Sequence, residues 1–522
     1  MSQTSHRNVS VIFAGLVLAT ATVMPPRADA QAPGITFDQS AYDVPGARSV
    51  LVSVVDPHAN RNPMLADTIP IELAVLNPGT VIDQEQGLAV ETGPNTGHFG
   101  LSIDITLTGN PTPGNNKLEP LPGYSLRASF QPHCGQPFCP PGPILSALAA
   151  VVGPSAWRMP RGNPARTGHS TAILEGPLAE ECSYIPPSGS RIPSEAIIDY
   201  TGYYMPLASP RGPEVHVLNR DCTLRYVLAI GGAAGGIAAA LGPDNALYVA
   251  SSNGVRQFIG REPGWNVQRA LGPHPVEIIV QDDAVVVKGG DELLVLRLPT
   301  GAEIFAAARG VSTPPRGGGI ALGPTSIFDV SQEGPDCFLT SFNLFTGRQD
   351  WRLNLRQQPG AIEDCTRPAI GPDGTIYVGI WFGNFGQLVA VSPFGQPLWR
   401  FDTQRRITVP AIWDRGILVF GDSRRTHALN FAGELLWSTD RFICSKAPPV
   451  VDGTGRFFCA GTLEEAPSVD CIIEFDRGAM EAECGDPLER DARPNWLGID
   501  PNGRLVITEE GERPRVRVFG PQ

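Results

Sequence analysis

The ten cysteines are the residues whose chemistry is most plainly indicated by their pattern. They are Cys134, Cys139, Cys182, Cys222, Cys337, Cys365, Cys444, Cys459, Cys471 and Cys484. An even number of cysteines, all placed after an export signal, favours disulfides. A structural zinc site would need Cys-x-x-Cys pairs or Cys/His clusters, and the sequence has none. Spacing alone leaves the pairing open.

Pairing of neighbours closes the shortest loops, so it is the connectivity we expect. It joins 134 to 139, 182 to 222, 337 to 365, 444 to 459 and 471 to 484.

A second group of residues carries oxygen atoms that suit a calcium ion. The group is Asp56, Asn60, Asn62, Asp67 and Glu91. Carboxylate and amide oxygens are the ligands that Ca²⁺ takes. The same residue types also occupy turns, where their side chains bond to the nearby backbone. The sequence favours the turn interpretation and keeps Ca²⁺ as an alternative.

No motif in the sequence predicts a catalytic residue. The G-x-S-x-G, H-E-x-x-H, P-loop and G-x-G-x-x-G patterns are absent, and no two of the eight histidines are spaced as a metal pair. Each histidine is therefore expected on the surface or in a loop. The runs Gly231–Gly236 and Gly317–Gly319 invite a phosphate cradle, but crowded backbones near a central axis explain them better.

The elements that must position these residues begin after a targeting segment. Residues 1–30 have a positive Arg7, an apolar run and Ala28-Asp29-Ala30, which is a small-x-small cleavage signal. The sequence therefore predicts a secreted protein, periplasmic or extracellular, without a membrane span. The net charge of -13 and the lack of a Lys/Arg run argue against nucleic acid as a partner. The expected partner is a protein or a cell-envelope ligand, and the oligomeric state stays open.

Residues 31–130 read as a β-sandwich. Alternating segments such as Ser49–Val55 recur between turn residues. The string from Glu91 to Phe99, ETGPNTGHF, resembles an immunoglobulin-like module of large bacterial surface and secreted proteins. That resemblance implies a spacer and no chemistry of its own. Residues 131–156, rich in Pro and Gly, are expected to form a linker.

Residues 157–522 contain about eight units of roughly 40 residues, each with several short strands and Gly-containing turns. Such a period predicts an all-β fold with an eight-bladed propeller, because stacked blades cover each other's faces. In four units a turn glycine stands four residues before an aromatic residue. The aromatic residues expected between blades are Tyr226, Phe305, Trp351, Trp399 and Trp437.

The segment from Trp157 to His169, WRMPRGNPARTGH, resembles the opening of quinoprotein-like propellers with repeats of the pyrroloquinoline-quinone type. This superfamily contains quinone-dependent dehydrogenases and non-catalytic scaffold propellers. The dehydrogenases need adjacent cysteines over the quinone, an Asp base and Ca²⁺ ligands. No two cysteines are adjacent here, and no Asp matches the base. No cofactor is therefore expected, and quinone or Ca²⁺ remains the alternative.

The sequence thus predicts a secreted sandwich-plus-propeller protein that binds or scaffolds through a propeller face. Its status as an enzyme stays open, with a non-enzymatic role favoured. The alternative is a divergent quinone- or metal-dependent enzyme with its site in the propeller funnel.

Overall fold

The regular structure of this protein is entirely β. The computed structural model describes residues 32–39, 41–43, 49–59, 61–62, 64–77, 80–94, 96–105, 112–120, 124–133, 142–152, 157–232, 236–242, 245–272, 276–290, 292–298, 300–308, 318–356, 362–463, 466–475, 482–487, 493–511 and 513–521. Within these ranges all regular elements are strands, and no helix there is long and apolar enough to cross a membrane. The expected signal peptide lies outside them.

The first nine strands form one sheet. They are β1 (Gly34–Phe37), β2 (Ala41–Asp43), β3 (Ser49–Val55), β4 (Thr68–Asn77), β5 (Thr80–Glu91), β6 (His98–Ile105), β7 (Lys117–Leu118), β8 (Ser125–Phe130) and β9 (Leu145–Val152). Their order is β1-β3-β6-β5-β4-β8-β9-β2, with β7 beside β6. Alternate residues of β3 point inward, as its sequence pattern requires. Residues from strands far apart in this order share one core, so the sheet folds over on itself.

Strand β9 lies within residues 131–156, the stretch that the sequence analysis expects as a linker. It pairs with β8 and β2 inside this sheet, although the sequence placed residues 131–156 between domains. Its alternating small apolar residues fit a strand against a packed face. The immunoglobulin-like assignment of the sheet stays a prediction.

The remaining strands build eight separate sheets, which are the eight blades of a propeller. The outer strand of the last blade, β10 (Leu178–Tyr184), comes first in the chain. Blades 1 to 4 are β11 (Ile197–Ile198), β12 (Tyr203–Ser209), β13 (Gly212–Leu218), β14 (Leu224–Ala229); β15 (Ile237–Leu241), β16 (Leu247–Ser251), β17 (Gly254–Ile259), β18 (Glu262–Gln268); β19 (Glu277–Gln281), β20 (Ala284–Gly289), β21 (Glu292–Arg297), β22 (Glu303–Ala308); and β23 (Gly318–Leu322), β24 (Ser326–Glu333), β25 (Asp336–Asn343), β26 (Gln349–Asn354).

Blades 5 to 8 follow the same plan. They are β27 (Asp364–Cys365), β28 (Ala369–Ile370), β29 (Ile376–Phe382), β30 (Phe385–Val391), β31 (Pro397–Thr403); β32 (Ala411–Trp413), β33 (Ile417–Gly421), β34 (Thr426–Asn430), β35 (Leu435–Thr439); β36 (Phe442–Ile443), β37 (Val450–Val451), β38 (Phe457–Leu463), β39 (Ala466–Phe475), β40 (Ala482–Pro487); and β41 (Arg493–Ile499), β42 (Leu505–Glu510), β43 (Arg515–Pro521) with β10. The predicted count of eight blades is confirmed.

The ring closes between its two ends. Strand β10 pairs antiparallel with β43, so the last blade takes three strands from the end of the chain and one from before blade 1. Glu180 of β10 accepts hydrogen bonds from Arg517 of β43, one of them at 2.8 Å. A disulfide between Cys182 and Cys222 then ties this strand to blade 1.

The expectation of disulfides is confirmed. Besides 182–222, the described bonds join Cys337 to Cys365 and Cys444 to Cys459, all neighbours along the chain. Cys471 is also disulfide-bonded. Cys134, Cys139 and the side chain of Cys484 lie outside the described residues.

The aromatic residues expected between blades lie against the next blade's turn. Trp351 of blade 4 packs under Gly395 of blade 5, and its indole N–H donates to Pro393 O at 3.0 Å. Trp399 repeats the contact one blade on, with Phe431 O as acceptor at 2.8 Å. Phe305 lies under Gly347, the Tyr226 hydroxyl contacts Gly260 O, and Trp437 stacks on Phe475 of blade 7. Each of these five side chains is half-buried.

Trp265 makes the same kind of contact, although the glycine–aromatic spacing did not predict it. Its ring lies under Gly301 of blade 3, but no glycine stands four residues before it.

These contacts predict that Gly395→Ala destabilises the fold more than Gly383→Ala. Both glycines have positive φ, +79 and +61, which costs a side chain about 1–2 kcal/mol. A Cβ at Gly395 would also lie 2.7 Å from the Trp351 ring, whereas nothing lies within 4 Å at Gly383. Overpacking adds about 1–3 kcal/mol. Urea unfolding measures the free energy of unfolding of the two variants. Equal decreases would contradict a stabilising contact between Trp351 and the Gly395 turn.

Candidate functional site: the axial funnel

Residues 157–174 form an axial segment that crosses the centre of the ring. Its carbonyls accept hydrogen bonds from the inner strands of six blades. The bonds run from Ile198 N to Trp157 O (2.8 Å), Leu241 N to Arg158 O (2.7 Å), Leu322 N to Pro164 O (2.9 Å), Ile370 N to Ala165 O (2.9 Å), Ile412 N to Thr167 O (2.8 Å) and Val451 N to Gly168 O (2.8 Å). Most of these donors end their strands, so the segment closes the axis at the carboxyl ends of the inner strands.

At the opposite end of the axis, the described residues leave a cavity. A cavity of about 410 Å³, which we call the funnel, lies at the amino ends of the inner strands. Glu277 and Gly318 begin inner strands there, while Arg367 and Val409 stand two residues before theirs. The ring thus has one plugged face and one face with a pocket.

The floor of the funnel rests on buried charges. Arg166 of the axial segment contacts Glu277 at 3.2 Å, and Arg367 binds the other oxygen of the same carboxylate. Ile320 N donates to Glu277 at 2.8 Å. A second buried carboxylate, Glu195, accepts from the backbone N–H of Arg161. The cluster therefore connects the axial segment to several blades.

Arg161 extends this connection through its guanidinium group. It donates to Pro449 O at 2.7 Å and to Pro410 O at 2.8 Å, and it is 1% exposed. Burial lowers the pKa of Arg161 to about 10, opposed by the Glu195 carboxylate. It remains a cation at neutral pH.

Glu277 is held as a carboxylate. Burial alone would raise its pKa, but Arg166, Arg367 and Lys288 outweigh it and lower the pKa to about 2. Lys288 also bonds to Asp329 at 2.9 Å and to Val330 O at 2.7 Å. The charges beneath the funnel are therefore paired as ions, although Arg166 Nη1 and Glu195 Oε1 are buried without a hydrogen-bond partner among the described residues.

Gly319 shows why glycine is needed beside this cluster. A Cβ there would lie 2.5 Å from the Glu277 carboxylate and 2.6 Å from Arg367 Cγ. Close approach near the axis thus accounts for this glycine, in line with the crowding interpretation of the 317–319 run.

The walls and mouth of the funnel are polar. Arg406 and Lys446 stand at the mouth and are exposed, and Trp496 forms one wall beneath the Arg367 guanidinium, 4.5 Å away. Four hydroxyl side chains complete the lining: Thr366, Thr408, Ser423 and Ser445. Such a surface offers hydrogen-bond donors and positive charge to a ligand.

The weak calcium candidates lie far from the funnel in the chain, in the first sheet, and their carboxylates are occupied. Asp67 accepts from Asn62 N at 2.7 Å, and Glu91 accepts from Thr96 N and Gly97 N at 2.6 and 2.8 Å. The buried Asp56 accepts from His133 N at 2.8 Å. The bonds of Asp67 and Glu91 are short-range, as the turn interpretation expects, whereas His133 is 77 residues from Asp56. Asn60 lies outside the described residues. In the part of the chain that the structure describes, no three His, Cys, Asp or Glu side chains group as a metal site.

Two histidines overturn the expectation that all eight lie on the surface or in loops. His216 and His427 are 2% and 6% exposed. His216 lies between Glu214 and the hydroxyl of Tyr184, at 3.1 and 2.6 Å. Each buried ring lies beside a carboxylate: Glu214 stands two residues before His216 on β13, and Asp422 lies across a turn from His427.

His427 belongs to a Ser–His–Asp arrangement that the sequence analysis missed. Ser438 Oγ lies 3.1 Å from Nδ1, and Asp422 Oδ2 lies 3.3 Å from Nε2. These residue types catalyse acyl transfer in hydrolases. Here the imidazole is enclosed by Phe401 and Phe420, each 5.4 Å away. All three residues belong to blade 6, and Phe401 of blade 5 packs on the imidazole, so we interpret the trio as a structural support at the boundary between blades 5 and 6.

Eight four- and five-stranded blades around a plugged axis define an eight-bladed β-propeller. Among solved structures, the chain is similar to BamB from Moraxella catarrhalis, with 17% identity, a TM-score of 0.48, and coverage of 66% of this chain and 99% of that one. It is also similar to the Dos1 propeller, with 11% identity, a TM-score of 0.49, and coverage of 66% and 96%. No protein-family model and no curated protein matches the chain.

The floor cluster predicts that Glu277→Gln destabilises the protein by about 3–5 kcal/mol at pH 7, because it leaves buried cations without their carboxylate. The pKa of Glu277 is lower in the folded state than its ordinary 4.5. Its stabilising contribution is therefore present above about pH 4.5 and is lost as the pH falls towards 2. Urea unfolding at pH 7, 4.5 and 2.5 measures the difference in the free energy of unfolding between variant and wild type. This difference should become smaller as the pH falls.

Glu292→Gln is the matched control, because Glu292 pairs with the partly exposed Arg269. This substitution should lower the free energy of unfolding by no more than about 1 kcal/mol. Losses of equal size in the two variants would contradict the assigned role of the floor.

Proposed function

We propose that this chain is an exported, non-enzymatic binding or scaffold protein that holds a protein or cell-envelope ligand at the funnel face. The observation that carries the proposal is the asymmetry of the ring. The axial segment fills one end, while the other end presents an open cavity of about 410 Å³. Concave sites with a few convergent polar groups are the usual places where proteins bind ligands.

Export is supported by the disulfides. Three described bonds and a bonded Cys471 are typical of an oxidising compartment. Together with the signal-like residues 1–30, they favour the periplasm or the exterior. The first sheet then serves as a spacer or a second contact, and Asn245 of the blade 2 turn bonds to Ser125 of that sheet at 3.1 Å. The immunoglobulin-like and quinoprotein-like assignments belong to this proposal.

The funnel residues argue for binding over quinone-dependent oxidation. The adjacent cysteines of that chemistry are missing, and Cys365, which lines the cavity, is bonded to Cys337. The charged floor groups Glu277, Lys288 and Arg367 are engaged with protein partners. No catalytic step through a quinone is therefore derived.

A non-enzymatic binding role predicts that pyrroloquinoline quinone with Ca²⁺ does not bind the protein. Thermal unfolding and visible absorbance, recorded over a titration of both, should show no saturable response. A quinone-dependent dehydrogenase that retains its cofactor site serves as the positive control. A saturable shift accompanied by a bound chromophore would establish the enzymatic alternative.

The binding role predicts that a partner is reached from the funnel and not from the outer strands. A photo-crosslinking amino acid at Ser445, at the funnel wall, should give discrete adducts in the native cell envelope. The same probe at the exposed Leu435 of β35 should give none. Adducts of equal yield at both positions, or none at Ser445, would contradict the proposal.

A further inference from the structure

A cluster of exposed basic residues surrounds one side of the funnel mouth. It consists of Arg405, Arg406, Arg424, Arg425, Arg441 and Lys446, which we call the cationic rim. Three connecting stretches carry it: residues 404–410 before blade 6, the 422–425 turn, and residues 440–446 entering blade 7. Arg406, Ser423 and Lys446 line the cavity itself, so the three stretches meet at its mouth.

The charge of the rim is opposite to that of the chain. The three stretches contain six Lys or Arg and two Asp or Glu, whereas the whole chain has 40 Lys or Arg and 53 Asp or Glu. Asp440 lies 3.6 Å from Arg425, Asp364 at the cavity pairs with Arg406, and Asp422 is buried against His427, so the excess of positive charge comes from the remaining rim residues. Beside a concave cavity, charges of one sign focus the field and attract the opposite sign.

We propose that the cationic rim binds an acidic segment of a partner polypeptide, with side-chain carboxylates entering the funnel. This inference rests on the proposed binding function and names the chemistry of its partner. The rim supplies guanidinium groups for carboxylates. The hydroxyls of Ser423 and Ser445, which line the cavity, offer hydrogen bonds to the side chains and the backbone of the segment.

A polypeptide fits this surface better than nucleic acid does. Proteins that bind single strands stack bases on a series of aromatic side chains, whereas among the described residues that line the cavity Trp496 alone is aromatic, and the Arg367 guanidinium lies over its ring. The remaining surface of a chain with net charge -13 repels a continuous phosphate backbone. The carboxylates of Glu277 and Asp364 lie at the cavity as well, and each is paired with an arginine, Arg367 and Arg406 respectively.

The probe for this inference is a fluorescein-labelled deca-glutamate peptide, titrated with the full chain and followed by fluorescence anisotropy. Wild type should bind, and affinity should fall between 50 and 300 mM NaCl because exposed charges are screened. Arg406→Gln with Lys446→Gln should weaken binding at least tenfold. Arg348→Gln with Arg415→Gln is the matched control: Arg348 lies in a blade 4 outer turn and Arg415 on the plugged face, and both are exposed. The control should change affinity less than twofold.

Comparison probes decide the class of ligand. A labelled deca-thymidine oligonucleotide and vesicles containing phosphatidylglycerol should bind at least tenfold more weakly than the peptide. Equal binding of the oligonucleotide or vesicles, absence of peptide binding, or equal losses in rim and control variants would overturn the inference. Thermal unfolding of every variant verifies that the fold is retained.

The crosslinking probe separates this inference from the binding function. Funnel adducts that persist in the Arg406→Gln/Lys446→Gln variant would overturn the acidic-segment inference and leave the binding function standing. Adducts lost in that variant and kept in the control would support both.

Discussion

The axial segment is the constraint on which the rest of the structure depends. Inner strands of six blades donate to its carbonyls, and Arg161 reaches two further carbonyls across the axis. In an open array of repeats each unit contacts only its neighbours. Here one stretch of 18 residues contacts most of the ring, so the blades share a common centre. Buried carboxylates at 195 and 277 fix the cations of that centre in place.

This centre explains why the two faces of the ring differ. Near their carboxyl ends, the inner strands of six blades donate hydrogen bonds to the axial segment, whereas amino ends of inner strands surround the cavity. Charges below the cavity are paired and buried, whereas those at its mouth are exposed, and two of them, Arg406 and Arg425, have a carboxylate partner. A buried, ion-paired base under an exposed cationic rim suits recognition, because a preorganised site lowers the cost of binding.

Much of the fold could be predicted from sequence because it depends on local repetition. Turn glycines and aromatic residues such as Trp351 and Trp399 recur at one spacing, and this gave the number of blades. The site could not be predicted in the same way. Glu277 and Arg166 are 111 residues apart, and the rim arginines sit in separate turns that no local pattern connects. Trp265 was missed because its blade lacks the glycine spacing, and His427 because its partners lie across strands.

Strand β10 imposes an order of events on synthesis. It leaves the ribosome 337 residues before its partner in β43, as the Glu180–Arg517 pair shows. At 5–20 residues per second, this delay is on the order of 20–70 s. During that interval β10 and the axial segment have been synthesised, but the other three strands of the last blade have not. A chain built this way needs protection from premature pairing until its final residues arrive, and export in an unfolded state would provide it.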